Sequence, residues 1–138
     1  MNPEVPQNSP APGPQIAGIL QIAIPVRDIA RATAFYRDAL GLRFLFAAPN
    51  MAFFDCAGVR LYLDANGAYQ SAGPNQFIYF RTADIHAQPF ALKAKNVVIH
   101  REPHVIARMP GSEIWLMWIR DSEGNLLALM EERKAAAV

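Results

Sequence analysis

The chain contains two copies of one pattern of elements, and this repeat constrains its fold more than any other feature. In the first half, the β-branched run ILQIAIPV is followed by Asp28, a residue type that commonly caps helices, and then by apolar residues at helical spacing as far as Gly41. Three short apolar runs complete this half. The pattern predicts a βαβββ unit, with a helix over about 29–40 and later strands over 42–46, 51–55 and 59–64.

The second half repeats this order with a longer insertion. QFIYFRT predicts a strand, Asp84 repeats the cap, and VVIH, EIWLMWIR and NLLALME predict three further strands. The spacing from Asp28 to Asp84 is shorter than the spacing from Gly58 to Gly124, so the second half is longer by ten residues. We interpret the repeat as an internal duplication and expect the added residues in a loop around Pro103–Ser112.

Length and hydrophobicity fit a single domain. The chain has 138 residues, of which 52% are hydrophobic. We predict a disordered, proline-rich arm over 1–15, one domain over 16–132 with modules at about 16–66 and 75–132, and a tail over 133–138. Each module alone would leave one sheet face uncovered. We therefore predict an α+β fold in which the two βαβββ modules form an open eight-stranded barrel around a ligand cavity.

Composition excludes several classes of partner. Lys and Arg total 13 against 12 Asp and Glu, so no basic surface is expected to hold nucleic acid. No apolar run approaches the roughly 20 residues that cross a bilayer, which predicts no membrane partner. Cys56 is the only cysteine, which fits a reducing compartment, and we predict a cytoplasmic protein. We interpret Cys56 as a small buried hydrophobe rather than a nucleophile.

Three segments resemble a known family. IAIPVRDIARATAFYRDALGLRF, FIYFRTADI and RDSEGNLLALMEE are similar to the glyoxalase/bleomycin-resistance/dioxygenase superfamily, also called the vicinal-oxygen-chelate family. Together they bracket nearly all of residues 16–132. The resemblance implies the two-module fold and, in metal-using members, one ligand on the first strand and one on the last strand of each half.

Carried onto this chain, those ligand positions are Gln21 and Tyr62 in the first half and Phe77 and Ala128 in the second. A zinc, nickel, manganese or iron site needs about three or four donors from His, Glu, Asp or Cys. We therefore predict no metal and no cofactor. The alternative, a bound divalent Zn, Ni, Mn or Fe, requires a shifted strand register that brings other side chains inward.

Strand alternation from these positions predicts a cavity of mixed polarity that suits a flat aromatic or anionic ligand. The predicted ligand-binding residues are Gln21, Arg60, Tyr62, Phe77, Arg108, Trp115 and Ala128. Packing in the core or at a dimer interface is the alternative interpretation of the aromatic side chains.

One cluster in the predicted loop combines an imidazole, a cation and a carboxylate. It consists of His104, Arg108 and Glu113. Because histidine titrates near neutral pH, we predict His104 and Glu113 as candidate catalytic residues, with Arg108 holding an anionic group. A solvated loop of mixed charge is the alternative.

We predict a metal-independent protein that binds a small molecule, similar to the drug-sequestering members of the superfamily. The alternative is an enzyme of the same superfamily, either a metal-dependent lyase, isomerase or dioxygenase or a metal-free acid–base catalyst using His104. A homodimer is also expected, because Phe53, Trp115 and Trp118 provide more aromatic surface than one small domain readily covers.

Overall fold

A computed structural model describes residues 14–67 and 77–134 and contains two four-stranded sheets. The first module has strands β1 (Gln21–Pro25), β2 (Arg43–Ala48), β3 (Met51–Cys56) and β4 (Val59–Asp64), in the order β1-β4-β3-β2. The second has β5 (Ile78–Arg81), β6 (Val98–Met109), β7 (Ser112–Arg120) and β8 (Leu126–Lys134), in the order β5-β8-β7-β6. The α+β fold of two βαβββ modules is confirmed, with sheets that are open rather than closed into a barrel.

One helix follows the first strand of each module. Helix α1 (Ile29–Ala34) begins where the Asp28 carboxylate accepts a hydrogen bond from the Arg31 N–H at 3.1 Å, and it continues as a π-helical turn, Phe35–Ala39. Helix α2 (Gln88–Ala94) is preceded by a 3₁₀ turn, Ile85–Ala87. Asp84 stands at the start of this turn as predicted, but its side chain makes no capping hydrogen bond, and the Ile85 N–H donates to the Glu131 carboxylate instead. That turn places Pro89 in the first turn of α2, where its missing N–H disrupts no helical hydrogen bond.

Strand register confirms the internal duplication. In the first module Ile22 pairs with Leu61 in parallel, and in the second Ile78 pairs with Leu127. Ile78 follows Ile22 at the same spacing that separates the two aspartate caps, and Leu127 follows Leu61 at the spacing that separates the two turn glycines. These two spacings therefore identify equivalent positions in the two modules.

The added residues of the second module lengthen a hairpin, so the predicted loop around Pro103–Ser112 is wrong. Strands β6 and β7 have 12 and 9 residues, whereas β2 and β3 have 6 each. Because β6 is an edge strand with bulges near Arg101 and His104, it can accommodate Pro103, which lacks an N–H. The hairpin reverses at Gly111, whose φ of 83° favours glycine.

The turn between β7 and β8 joins the modules by packing against α1. The Tyr36 hydroxyl donates a 2.6 Å hydrogen bond to the Asp121 carboxylate, and both residues are buried. Burial raises the pKa of Tyr36 well above its usual value. The Asn125 amide donates to the Pro25 carbonyl at 3.0 Å. The two modules therefore share one continuous core, which includes Phe54.

Glu123 lies in this turn with no exposed surface and caps α1 from the other module. Its carboxylate accepts the backbone N–H groups of Arg27 and Asp28 at 2.9 and 3.0 Å and the Arg31 guanidinium at 2.8 and 3.1 Å. Burial alone would raise the pKa of Glu123, but these hydrogen bonds, with one from Ser122, outweigh burial and lower the pKa to about 2.

The outermost strands lie close to the predicted ends of the domain. Strand β1 begins at Gln21, and residues 14–20 precede it without a regular element. Strand β8 includes Arg133 and Lys134, which the sequence analysis assigned to the tail. Most of the predicted arm and linker lies outside the described residues. Within residues 14–67 and 77–134, no helix is long and apolar enough to span a bilayer.

Candidate functional site

The two faces of the first sheet differ in character. Ile22 and Leu61 pair on the face that packs into the core, together with Phe54. By strand alternation, the opposite face carries Gln21, Arg60 and Tyr62 together, as the sequence predicted. Phe53 pairs with Tyr62 and with Phe46, so both phenyl rings lie on this second face. We call Gln21, Phe46, Phe53, Arg60 and Tyr62 the aromatic platform.

Parallel rings form the centre of the aromatic platform. The Phe53 and Tyr62 rings stack with centroids 4.9 Å apart and an interplanar angle of 9°. The Phe46 and Phe53 rings stack at 4.4 Å and 20°. Phe46 is 51% exposed, so the row of rings ends in an accessible aromatic surface. Such a surface can stack against a flat ligand.

A cation lies beside these rings. The Arg60 guanidinium carbon is 5.9 Å from the Phe53 ring centroid, and its Nε donates to the Gln21 side-chain oxygen at 2.7 Å. Gln21 is neutral, and Arg60 forms no salt bridge with any residue that the structure describes. Asp55 pairs with Arg60 across β3 and β4, but its carboxylate accepts the Gly58 N–H and forms no salt bridge with Arg60. The guanidinium therefore suits an anionic ligand group.

The positions that carry metal ligands in the family do not fit a metal centre here. Phe77 and Ala128 have no side-chain donor atom, and the Gln21 oxygen already accepts a hydrogen bond from Arg60. Tyr62 offers only a phenol. Catalytic metal sites in proteins use about three or more N, O or S donors. This set provides neither the number nor the type of donors required.

A second aromatic group lies on the equivalent face of the other sheet. The Phe77 and Tyr79 rings meet the Trp118 ring edge to face at 5.2 and 5.7 Å. Phe77 and Tyr79 are about half exposed, at 51% and 49%, and Ala128 pairs between Tyr79 and Trp118. Phe77 and Ala128 were predicted as ligand-binding residues, and strand alternation places Tyr79 and Trp118 on the same face.

The predicted catalytic cluster is divided between the faces of the β6–β7 hairpin. His104 pairs with Leu116, which lies on the same face as Trp118. Arg108 pairs with Glu113, which lies on the same face as Trp115. The structure therefore brings Arg108, Glu113 and Trp115 together and places His104 on the other side of the sheet, with Ala128.

Glu113 is held by two donors. Its carboxylate accepts the Trp115 indole N–H at 3.1 Å and the Arg108 guanidinium at 3.1 Å. The indole hydrogen bond, followed by that of Arg108, lowers the pKa of Glu113. His104 Nδ1 lies 2.9 Å from the Glu102 carbonyl. The roles predicted for His104 and Glu113 in catalysis, and for Arg108 and Trp115 in ligand binding, remain predictions.

A further group of possible metal ligands lies beside the start of α2. Donor atoms of Asp84, His86 and Glu131 lie within 4.8 Å of one another. However, the Arg133 guanidinium donates to Glu131 at 2.9 and 3.1 Å and contacts His86 Nδ1 at 2.9 Å, and the Ile85 N–H also donates to Glu131. A cation already uses these lone pairs, so the cluster does not fit a divalent metal.

Comparison with known proteins agrees with this architecture. Residues 18–129 match the sequence profile of the Glyoxalase/Bleomycin resistance protein/Dioxygenase superfamily. No curated protein matches the chain significantly. Lactoylglutathione lyase from Agrobacterium tumefaciens is a similar solved structure, with 24% identity, a TM-score of 0.64 and coverage of 85% of this chain and 95% of that one.

Two other solved structures show the same fold. A superfamily member from Sphaerobacter thermophilus DSM 20745 has 26% identity, covers 84% of this chain and 98% of its own, and has a TM-score of 0.66. TioX from Micromonospora sp. ML1 has 18% identity, covers 83% and 98%, and also has a TM-score of 0.66. Since the profile match spans both modules, the chain belongs to the glyoxalase/bleomycin resistance protein/dioxygenase superfamily.

Proposed function

We propose that this protein binds a flat, anionic aromatic small molecule on the aromatic platform, without a metal. The observation that supports this most strongly is the row of stacked Phe46, Phe53 and Tyr62 rings beside the Arg60 guanidinium. An aromatic ring of the ligand would extend the stack, and its carboxylate or sulfonate would accept from the guanidinium. The Arg60 Nε donates to the Gln21 side-chain oxygen, which leaves the two terminal nitrogens of the guanidinium for the ligand.

Two interactions set the size of the expected effects on binding. One aromatic pair contributes about 0.5–1.5 kcal/mol beyond the area that it buries. A hydrogen bond to a charged group contributes about 1.5–3 kcal/mol. The removal of either contribution should therefore weaken binding by about tenfold, which corresponds to about 1.4 kcal/mol.

Binding is favoured over catalysis because the side chains of the platform are poorly suited to acid–base or metal chemistry. Its polar groups are an amide, a phenol and a guanidinium, whereas acid–base catalysis most often uses His, Glu or Asp. An enzyme of the same superfamily remains the alternative proposal, either with a metal or through His104. The two proposals differ in whether a bound ligand is chemically changed.

Titration of the purified protein with 2-naphthoate tests the proposal. Isothermal calorimetry should show saturable binding, which Arg60→Gln and Phe46→Leu each weaken by about tenfold. Arg37→Gln is the matched control, because Arg37 is an exposed arginine on the π-helical turn, where it pairs with Asp38. Its affinity for naphthoate should equal that of the wild type.

Two results would count against the platform. The first is binding of 2-naphthoate that Arg60→Gln and Phe46→Leu leave unchanged while both variants remain folded by circular dichroism. The second is conversion of naphthoate-like ligands into new products, detected by chromatography, which would favour an enzyme.

A further inference from the structure

A cavity of about 650 Å³ lies between the two modules, on the core side of the first sheet. Its wall includes Ile22 and Leu61, which pair on the sheet face opposite Arg60 and Tyr62. The sheet therefore separates this cavity from the aromatic platform. Its volume falls within the range of roughly 300–1,000 Å³ that is usual for small-molecule pockets.

The cavity occurs where the internal duplication is asymmetric. The turn between β7 and β8 of the second module, residues 121–125, packs against α1 of the first module, and the Tyr36 hydroxyl donates to Asp121. The equivalent turn of the first module, between β3 and β4, consists of only Ala57 and Gly58. It lies across the cavity from α2 of the second module. The β7–β8 turn fills the space beside α1, whereas the shorter β3–β4 turn leaves the equivalent space beside α2 empty.

The helices contribute to the same difference. By the spacing that relates the two aspartate caps, Phe35 and Tyr36 after α1 are equivalent to Ala91 and Leu92 of α2. Two aromatic side chains are thus replaced by two smaller aliphatic ones, and both Ala91 and Leu92 line the cavity. Tyr36, by contrast, has no exposed surface.

Positive charge is concentrated among the polar residues of the lining. Arg81 and Lys95 both belong to it, and none of the described acidic residues does. Arg81 forms no salt bridge or side-chain hydrogen bond within residues 14–67 and 77–134. Lys95 lies near Asp38, but that carboxylate is already held by Arg37 at 2.9 and 3.0 Å.

We infer that this cavity is a second binding site, which takes a small molecule with an apolar body and a carboxylate head. The apolar body would contact the side chains of Ile22, Leu61 and Leu92, which removes apolar surface from water. The carboxylate would accept a hydrogen bond from Lys95, at the end of α2. This site is independent of the proposed function on the aromatic platform.

Octanoate is a suitable probe, with uncharged 1-octanol as its control. Calorimetry on the full chain should show saturable octanoate binding. Cys56 provides a second readout, because it is the only cysteine, lines the cavity and is partly exposed. Octanoate should slow alkylation of Cys56 by N-ethylmaleimide, as followed by mass spectrometry.

Two substitutions on α2 locate the ligand. Ala91→Phe introduces the residue that the first module has at the equivalent position, and its ring should occupy part of the cavity and weaken octanoate binding at least tenfold. Ala94→Phe is the matched control, because Ala94 is an exposed alanine at the end of the same helix and is not part of the lining. Its binding should equal that of the wild type.

A surface charge variant keeps the inference testable if Ala91→Phe does not fold. Lys95→Gln lies on the surface, and it should weaken octanoate by about tenfold while leaving 1-octanol unaffected. Arg60→Gln should leave octanoate binding unchanged, and Ala91→Phe should leave naphthoate binding unchanged. The proposals for the two sites are therefore tested independently of each other.

The inference is supported if octanoate binding and Cys56 protection are lost together in Ala91→Phe and kept in Ala94→Phe. It is overturned if the folded wild type binds no octanoate, or if Ala91→Phe and Lys95→Gln bind it as tightly as the wild type does. Loss of binding in Ala94→Phe to the same extent as in Ala91→Phe would also overturn it.

Discussion

Replacement of Glu123 by glutamine should destabilise the fold by about 2–3 kcal/mol at neutral pH. A pKa lowered from its ordinary value of 4.5 to about 2 corresponds to about 3 kcal/mol of stabilisation of the ionised carboxylate. Glutamine keeps one oxygen for the backbone N–H groups of Arg27 and Asp28, so part of this stabilisation should survive. The attraction to the Arg31 guanidinium is lost.

The pH dependence provides a more specific signature than the loss at neutral pH. Because the folded-state pKa of Glu123 is depressed, its stabilisation is fully present above about pH 4.5 and is lost as the pH falls towards 2. Urea unfolding of the wild type and of Glu123→Gln, followed by circular dichroism, should therefore give free energies of unfolding that differ most above pH 5. The difference should shrink steadily as the pH is lowered.

Glu102→Gln is the control, because the Glu102 carboxylate forms an exposed salt bridge with Lys93. Its effect on the free energy of unfolding should stay below about 0.5 kcal/mol. The reasoning about Glu123 is refuted if Glu123→Gln also costs less than that at pH 7, or if its deficit is the same at pH 3 as at pH 7.

Three further predictions concern the fold, the assembly and the enzyme alternative. Tyr36→Phe should lower the free energy of unfolding in urea by about 1–3 kcal/mol, because the buried Asp121 carboxylate loses a donor; an unchanged value would contradict this role. Light scattering should give about twice the 15.3 kDa chain mass, because Phe77 and Tyr79 are about half exposed, whereas a mass near 15.3 kDa would exclude the dimer. His104→Ala should leave naphthoate binding intact. If the wild type converts a ligand and this variant does not, the alternative of an enzyme that uses His104 is favoured.

Local sequence patterns predicted those helices, strands and turns that depend on residues close together in the chain. The positions of Asp28 and Asp84 and of the glycine turns gave the correct spacing of the two modules, although only Asp28 caps its helix by a side-chain hydrogen bond. Strand alternation placed Gln21, Arg60 and Tyr62 on one face. These signals depend on neighbours a few residues apart, so they are readable in a single sequence.

Features that depend on tertiary context could not be predicted in this way. Pro103 suggested a loop, because its tolerance depends on β6 being an edge strand, which only the sheet order shows. Bulges in β6 shift the alternation, so the faces of His104 and Arg108 could not be counted from sequence. The cap from Glu123 joins groups that are far apart in the chain and has no local signature.

The most direct test of the proposed function is the affinity for 2-naphthoate with and without metal. The protein is dialysed against EDTA, its metal content is measured by mass spectrometry, and calorimetry is repeated before and after addition of zinc, nickel, manganese or iron. Because the proposed site uses only Arg60 and the stacked rings, the metal-free protein should bind naphthoate as tightly as the untreated protein, and added metal should change nothing. Binding that disappears in EDTA and returns with one of these metals would contradict the account.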